Sequence, residues 1–302
     1  MFKLYEPFFL GLPSPSLFVD YFGGTGVTSV WFRRLYPKCR VHLNEMNPDI
    51  FGLYSVIQKD YSLFCSYIKD YVNPYLAFSG RFPQKKGLSY EENKKTELFA
   101  ARKEYYYRLR HLYTDIMKNE QTTQRYALLF FLLQTCMNGY WQTRAADGVW
   151  NTPFGKGDEK GEIVRWNILE EFHQVLTTRT EISNKDYIDI IEPGEIPNSI
   201  HYFDPPYVNS TIEASAGFTI RDTKALCDRI LFLAYRGRTV FFSNKSDPLL
   251  LERLKFLSIE NFFDIKYTAS VNMNTKGSMS DEILAHNNKS VPLPSKLYPD
   301  FY

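Results

Sequence analysis

The stretch SLFVDYFGGTGVTSVWFRRLYP, residues 16–37, decides the fold class. Leu17, Phe18 and Val19 form an apolar run that ends on Asp20. Gly23, Gly24 and Gly26 then turn the chain, and Val27, Val30, Trp31 and Leu35 follow at helical spacing. The order is strand, glycine turn, helix. The next segment, CRVHLNEMNPDIFGLYSVIQ (39–58), repeats it, with a short strand ending near Glu45 and a helix opened by Asn47 or Pro48. Two consecutive strand–helix units predict an α/β fold with a mostly parallel sheet.

The chain has 302 residues, 44% hydrophobic and 23% charged, enough for one large domain or a main domain with an insertion. No apolar run approaches the ~20 residues of a membrane helix, and MFKLYEPFFLGLPSPS lacks the layout of a secretory signal. A cytoplasmic protein without membrane partners is expected. The four cysteines form no CxxC pair, so neither a disulfide framework nor a metal site is expected. A net charge of +2 does not announce a nucleic-acid binder, but basic residues cluster. Lys85, Lys86, Lys94, Lys95, Arg102, Lys103, Arg108 and Arg110 are interleaved with Tyr105, Tyr106 and Tyr107. Such a run suits either a phosphate-facing surface with aromatic contacts or a solvated helix face.

From residue 61 to about 135 the pattern is charged, aromatic and helical in period, with YEENKKTELFAARKEYYYRLRHLYTDIMK as its longest run. This predicts an inserted helical subdomain. Residues 136–161, CMNGYWQTRAADGVWNTPFGKGDEKG, are rich in turn dipeptides that build hairpins and loops. Strand signals return at SIHYF and RTVFFSN, separated by a helix at 222–235, and KYTASVNM with EILAHN predicts a terminal hairpin. The expected organisation is a catalytic domain in two parts, 1–60 and 166–302, around a target-recognition insertion at 61–165.

In an open α/β sheet, ligands gather beyond the carboxyl ends of the strands, so three strand-end signatures should converge. The glycines after Asp20 let backbone approach a ligand closely, and the following helix amino end favours negative charge. Glu45 lies close to the ~20-residue offset at which an acid meets ribose hydroxyls, a pairing that nicotinamide enzymes also show. The third signature is HYFDPPYVNS, residues 201–210. A Pro-Pro pair supplies no ladder donors and forces the preceding residues to be extended, so the strand stops and leaves Asp204 and Tyr207 at its carboxyl edge.

The stretches FVDYFGGTG, LNEMNPDIFGLY, MNGYW, GVWNTPFGKG, DPPY, FFSNKSD and NMNTKGSMSDEILAHN occur in this order over most of residues 17–287. Together they resemble the Dam-type (D12 class, alpha-group) DNA adenine-N6 methyltransferases. The resemblance implies a Rossmann-like methyltransferase fold with an inserted helical DNA-recognition subdomain. It implies S-adenosyl-L-methionine as donor, with S-adenosyl-L-homocysteine as product, and double-stranded DNA as partner to a monomer or weak dimer of bacterial or phage origin. The family's roles fall on Asp20, Phe22, Gly24, Gly26, Glu45, Asp186 and Asp204 for the donor. Asp204, Pro205, Pro206 and Tyr207 would carry catalysis, and Asn138, Gln142, Arg144, Asn151 and Phe154 would contact DNA.

These residue types suit that chemistry. The lone pair of an exocyclic adenine amine is delocalised into the ring, and Asp204 with the Pro205 carbonyl can accept its two N–H bonds and localise the pair. With a reference pKa of about 3.9, an aspartate acts here as acceptor rather than strong base. Tyr207 can stack on a base extruded from the duplex. Cytosine-N4 or RNA adenine methylation, and a silent DNA-binding partner subunit, are the alternative readings. The chain departs from the family before its first strand, where YEPFFLGLPSP replaces a KWxGGK-type element, and Tyr5, Pro7 and Phe8 stand as a substitute donor wall.

Overall fold

The computed structural model describes residues 2–82, 90–139, 142–144, 146, 149–155, 162–190, 196, 198–206, 218–266 and 279–288. The chain divides into two compact units. The first comprises Met1–Phe51, Gln174–Thr268 and Thr275–Tyr302, and the second Gly52–His173 with Ala269–Asn274. The divisions fall eight or nine residues from the boundaries expected at 60 and 165, inside two helices that leave one unit and enter the other.

The first unit begins with α1 (Phe2–Leu10), β1 (Leu17–Asp20), α2 (Val27–Leu35), β2 (Arg40–Asn44) and the start of α3 (Pro48–Lys59). Pro48 opens α3, where its missing N–H costs nothing, and Asn47 Oδ1 caps the helix by accepting from Asp49 N at 2.9 Å. In the second unit follow α4 (Tyr61–Arg81), α5 (Tyr90–Asn93), α6 (Glu97–His111), a π-helical turn (Leu112–Ile116) and α7 (Thr123–Thr135). Helix α8 (Trp166–Thr177) leads back to the first unit. There lie β3 (Thr180–Ser183), β4 (Ser199–Phe203), α9 (Ile220–Tyr235), β5 (Thr239–Lys245), α10 (Pro248–Arg253), β6 (Ser258–Lys266) and β7 (Met279–His286).

The strands form one sheet in the order β3-β2-β1-β4-β5-β7-β6. The first five are parallel and β7 is antiparallel to both its neighbours. Strand order reverses at β1, so the switch point lies between β1 and β4. Both strands are buried along their whole length, which is why they read as continuous apolar runs. On one face Leu17, Val19, Phe203, Val240 and Phe242 pack with Leu226, Ile230 and Leu233 of α9. On the other, Phe18 stacks on Phe32 at 4.0 Å and Phe9 on Phe241 at 3.9 Å, pairs that each contribute about 0.5–1.5 kcal/mol beyond buried area.

Three elements differ from expectation. The hairpin before β7 is made by Ser258–Lys266, not KYTASVNM, most of which lies outside the described residues. A register irregularity between Phe262 and Ile265 breaks the alternation of SIENFFDIK, hiding it as a strand. β3 is a four-residue strand, too short for a periodic signal. The segment before β1 is helix α1, whose Tyr5 is 1% exposed and packs on Phe262, while Phe8 packs on Phe262 and His286. These rings are taken up by the sheet and its first helix rather than standing as an open wall.

Candidate active site

At the carboxyl end of β1 the chain turns through Gly24 (φ 53°) and Gly26 (φ 72°), left-handed conformations that favour glycine. Among the described residues, a Cβ built on Gly24 would meet nothing nearer than Phe22 O at 3.9 Å. Phe22 is half-buried, with Tyr187 at 5.5 Å and Phe218 at 6.2 Å. Just beyond β2, the half-buried Glu45 is clamped. Its Oε2 accepts from Gly24 N at 2.7 Å and its Oε1 from Asn47 N at 2.8 Å. Burial pushes the Glu45 carboxyl up, and those two backbone N–H groups oppose the shift. Each oxygen retains a lone pair for a further donor.

Asp20 is 1% exposed and accepts from Ser29 Oγ through Oδ2 at 2.9 Å, while its Oδ1 has no hydrogen-bond partner among the described residues. Burial, countered by Ser29 and reinforced by the nearby Glu45, raises its pKa to about 7. Since the folded pKa lies above the unfolded value of 3.8, the native state binds the extra proton between about pH 4 and 7. Stability is therefore lost as pH rises through that window. Asp20→Asn is expected to gain about 2–3 kcal/mol relative to wild type between pH 5 and pH 8. Urea denaturation of both proteins at the two pH values checks this; a pH-independent difference would mean that Asp20 is ionised throughout.

A polar lattice missed by sequence reasoning fixes the neighbouring loop. Asn44, buried, donates through Nδ2 to Tyr21 O (3.1 Å) and Lys185 O (3.0 Å), and accepts at Oδ1 from Ser183 Oγ (2.7 Å) and Lys185 N (3.1 Å). Asn184 Nδ2 donates to Glu45 O and Met46 O. The lattice ties the ends of β1, β2 and β3 together. Asp186 is exposed and caps a 3-10 turn (Tyr187–Asp189) by accepting from Ile188 N at 3.0 Å. Met46 is 64% exposed and Ile188 60%, two apolar side chains beside Glu45 and Asp186 respectively. Met46 directly follows a strand-end acid, a signal in the sequence, whereas Ile188 stands two residues after Asp186 and carried none.

β4 runs parallel to β1 with Asp20 opposite Tyr202, and Tyr21 N continues the ladder by donating to Tyr202 O. Asp204 follows the last residue of β4, Phe203, just as Tyr21 and Phe22 follow the last residue of β1, so both chains leave the sheet at the same edge. Asp204 is exposed, Pro205 buried and Pro206 half-buried; Tyr207 lies outside the described residues. The Pro205 carbonyl accepts from Asn244 Nδ2 of β5 at 2.9 Å. Asp247 accepts from Leu249 N and caps α10.

In the second unit the expected loop is an antiparallel excursion. Thr143 bridges Trp150 and Cys136 bridges Phe154, with Arg144 N donating to Val149 O and Asn151 N to Gln142 O. Its base is bolted to α6: Tyr106 OH donates to Thr152 O, and Arg110 Nη1 donates to Asn151 O and Thr152 O. Arg144 is exposed, and Gln142 and Asn151 are half-buried. Asn138 has its backbone in a 3-10 turn (Met137–Gly139), and its side chain lies outside the described residues. Phe154 is 4% exposed against Phe99 and Tyr106, so its ring anchors the loop instead of presenting a surface to a base.

The basic cluster also divides. Arg102 is 5% exposed, lies over the Tyr75 ring at 4.6 Å and donates to Ser79 Oγ; Arg110 serves the loop base; Tyr105 and Tyr106 are buried. Lys94, Lys95, Lys103 and Arg108 are exposed, while Lys85 and Lys86 lie outside the described residues. At Gly155 an added Cβ would stand 2.4 Å from Cys136 O, a backbone atom that cannot swing aside. Gly155→Ala is expected to destabilise the protein by about 1–3 kcal/mol through forced separation of the loop base. Unchanged denaturation midpoints would show that the loop base yields freely.

Residues 11–226 match the family described as D12 class N6 adenine-specific DNA methyltransferase. A Type II methyltransferase, M.MjaIII of Methanocaldococcus jannaschii, is 23% identical over 266 residues, covering 86% of this chain and 83% of that protein. Among the described residues no group of three or more His, Cys, Asp or Glu side chains is placed to hold a metal, and no helix is long and apolar enough to cross a membrane. With a Rossmann-like parallel sheet, a glycine turn at β1 and Asp-Pro-Pro at β4, and the match spanning most of its length, the chain belongs to the D12 class of N6 adenine-specific DNA methyltransferases.

Proposed function

We propose that the crevice above β1, β2 and β4 holds S-adenosylmethionine and that Asp204 and the Pro205 carbonyl receive the N6 amine of an adenine turned out of duplex DNA. The residues fit the donor's chemical groups. Asp20 Oδ1 is a buried acceptor without a partner among the described residues, suited to a cationic group, and Glu45 is fixed in place with lone pairs to spare for ribose hydroxyls. Met46 and Ile188 offer apolar surface for a purine, with Asp186 as acceptor at its edge. When bound, the sulfonium supplies an electrophilic methyl group. The chain then needs only to orient an amine and stabilise the charge developing on it.

Asp204 accepts one amine N–H and Pro205 O the other, which draws the nitrogen lone pair out of the ring plane. Tyr207 is the residue assigned to stack on the base. The observation that carries this reading is the exposed Asp204 carboxylate next to a carbonyl already fixed by Asn244, at the carboxyl edge of β4, the strand paired with β1. Gln142, Arg144 and Asn151 read the target, while Lys94, Lys95, Lys103 and Arg108 hold phosphates. The protein works in the compartment where that DNA lies. Nucleoside mass spectrometry after incubation with donor and duplex DNA, single-stranded DNA or RNA tests the reading. N6-methyladenine in duplex DNA is expected; N4-methylcytosine, product in RNA only, or no product would overturn it.

A further inference from the structure

We infer that Asn244 is a positioning residue for methyl transfer, holding the Pro205 carbonyl in the direction from which it accepts the adenine amine; the inference rests on the reading of Pro205 given above. β4 and β5 pair in register as far as Phe203 opposite Phe242, so continuation would set Asp204 opposite Ser243 and Pro205 opposite Asn244. The two prolines end that ladder, because neither carries an N–H, and a carbonyl at a broken strand end is free to tilt with its peptide plane. Asn244 Nδ2 takes the place of the missing ladder bond at 2.9 Å. Since a carbonyl only accepts, the amide nitrogen rather than the oxygen must face Pro205.

Stability alone does not account for this side chain. Asn244 is 1% exposed in a strand whose neighbours Phe241 and Phe242 are fully buried, and its Oδ1 has no hydrogen-bond partner among the described residues. The one bond it makes satisfies Pro205 O while its own Oδ1 stays unsatisfied, so the net gain in stability is small. What the amide provides is direction: one lone pair of Pro205 O is occupied from the β5 side, which fixes the peptide plane and leaves the other lone pair as the acceptor for the amine. Ser243, next in the strand, is engaged elsewhere, with its hydroxyl 2.7 Å from Tyr202 OH.

The test compares wild type with Asn244→Ala, Asn244→Leu, Ser243→Ala and Asp204→Ala, measuring single-turnover transfer to duplex DNA at saturating donor and DNA, donor affinity by calorimetry, and urea midpoints. Both Asn244 variants are expected to slow transfer roughly ten- to hundredfold, up to the scale of a reacting group misplaced by about 1 Å, with donor affinity within about threefold of wild type. Ser243→Ala, which also removes a buried polar group from β5, is expected to lower the midpoint and leave the rate unchanged. If Asn244→Leu, which fills the same space without a polar end, transfers at the wild-type rate while Asp204→Ala is inactive, the inference about Asn244 fails and the reading of the site stands. If Asp204→Ala transfers normally, the reading of the site fails and takes the inference with it. A rate loss in Ser243→Ala equal to that of the Asn244 variants would assign the effect to strand damage and overturn the inference.

Discussion

Asp204→Ala is expected to slow single-turnover methyl transfer by roughly a hundred- to thousandfold, the range for losing a preorganised group at developing charge, while donor affinity and the denaturation midpoint stay close to wild type. Separation of binding from chemistry follows from where the side chain sits. Asp204 is exposed at the end of a strand whose preceding residues are all buried, so removing its carboxylate takes little from the core. The backbone it leaves behind remains fixed by two prolines and by the Asn244 bond to Pro205. Asp204→Asn keeps one acceptor oxygen and is expected to fall between alanine and wild type. The measurement is rapid-quench transfer with both substrates saturating. A rate within about threefold of wild type for the alanine variant would return Asp-Pro-Pro to the status of a strand terminator.

Glu45→Ala is expected to weaken donor binding about ten- to hundredfold, since a hydrogen bond to a charged group contributes roughly 1.5–3 kcal/mol. The carboxylate has a second task, because it bridges the N–H of Gly24 and that of Asn47. Loss of the bridge should stay local. α3 keeps its own cap from Asn47 Oδ1, and the loop after β3 keeps its bonds to Asn44. Glu45→Gln, which retains the length and one acceptor oxygen, separates the two tasks: it can satisfy one backbone N–H but offers no charge. Calorimetry should place it between alanine and wild type. Equal affinity for all three proteins would move the ribose-binding acid elsewhere on the sheet edge.

What the sequence determined by itself is the set of features governed by neighbours in the chain. A run such as Leu17–Asp20 followed by Gly24 and Gly26 announces a strand and a turn, because apolar burial and left-handed backbone are local demands. Asn47 and Pro48 mark the start of α3 by the same logic, whereas the helix expected from 222 begins at Ile220, two residues earlier, on a capping box between Thr219 and Asp222. The order of strand-end motifs likewise suffices to recognise the family.

The tertiary structure decided everything that depends on partners far away in sequence. Arg102 and Phe154 carry the composition of a nucleic-acid surface, yet one stacks under Tyr75 and the other wedges between Phe99 and Tyr106; charge and aromaticity are identical whether a side chain faces water or a neighbouring helix. β3 and β6 are strands because β2 and β7 lie beside them, not because of their own weak patterns. Asn44 meets Lys185 from 141 residues away, and Asn244, whose strand end FFSNKSD is legible in the sequence, meets its partner Pro205 from 39 residues away only in the folded sheet. A polar side chain's worth is set by the group it meets inside the fold, and chain proximity carries no trace of that meeting.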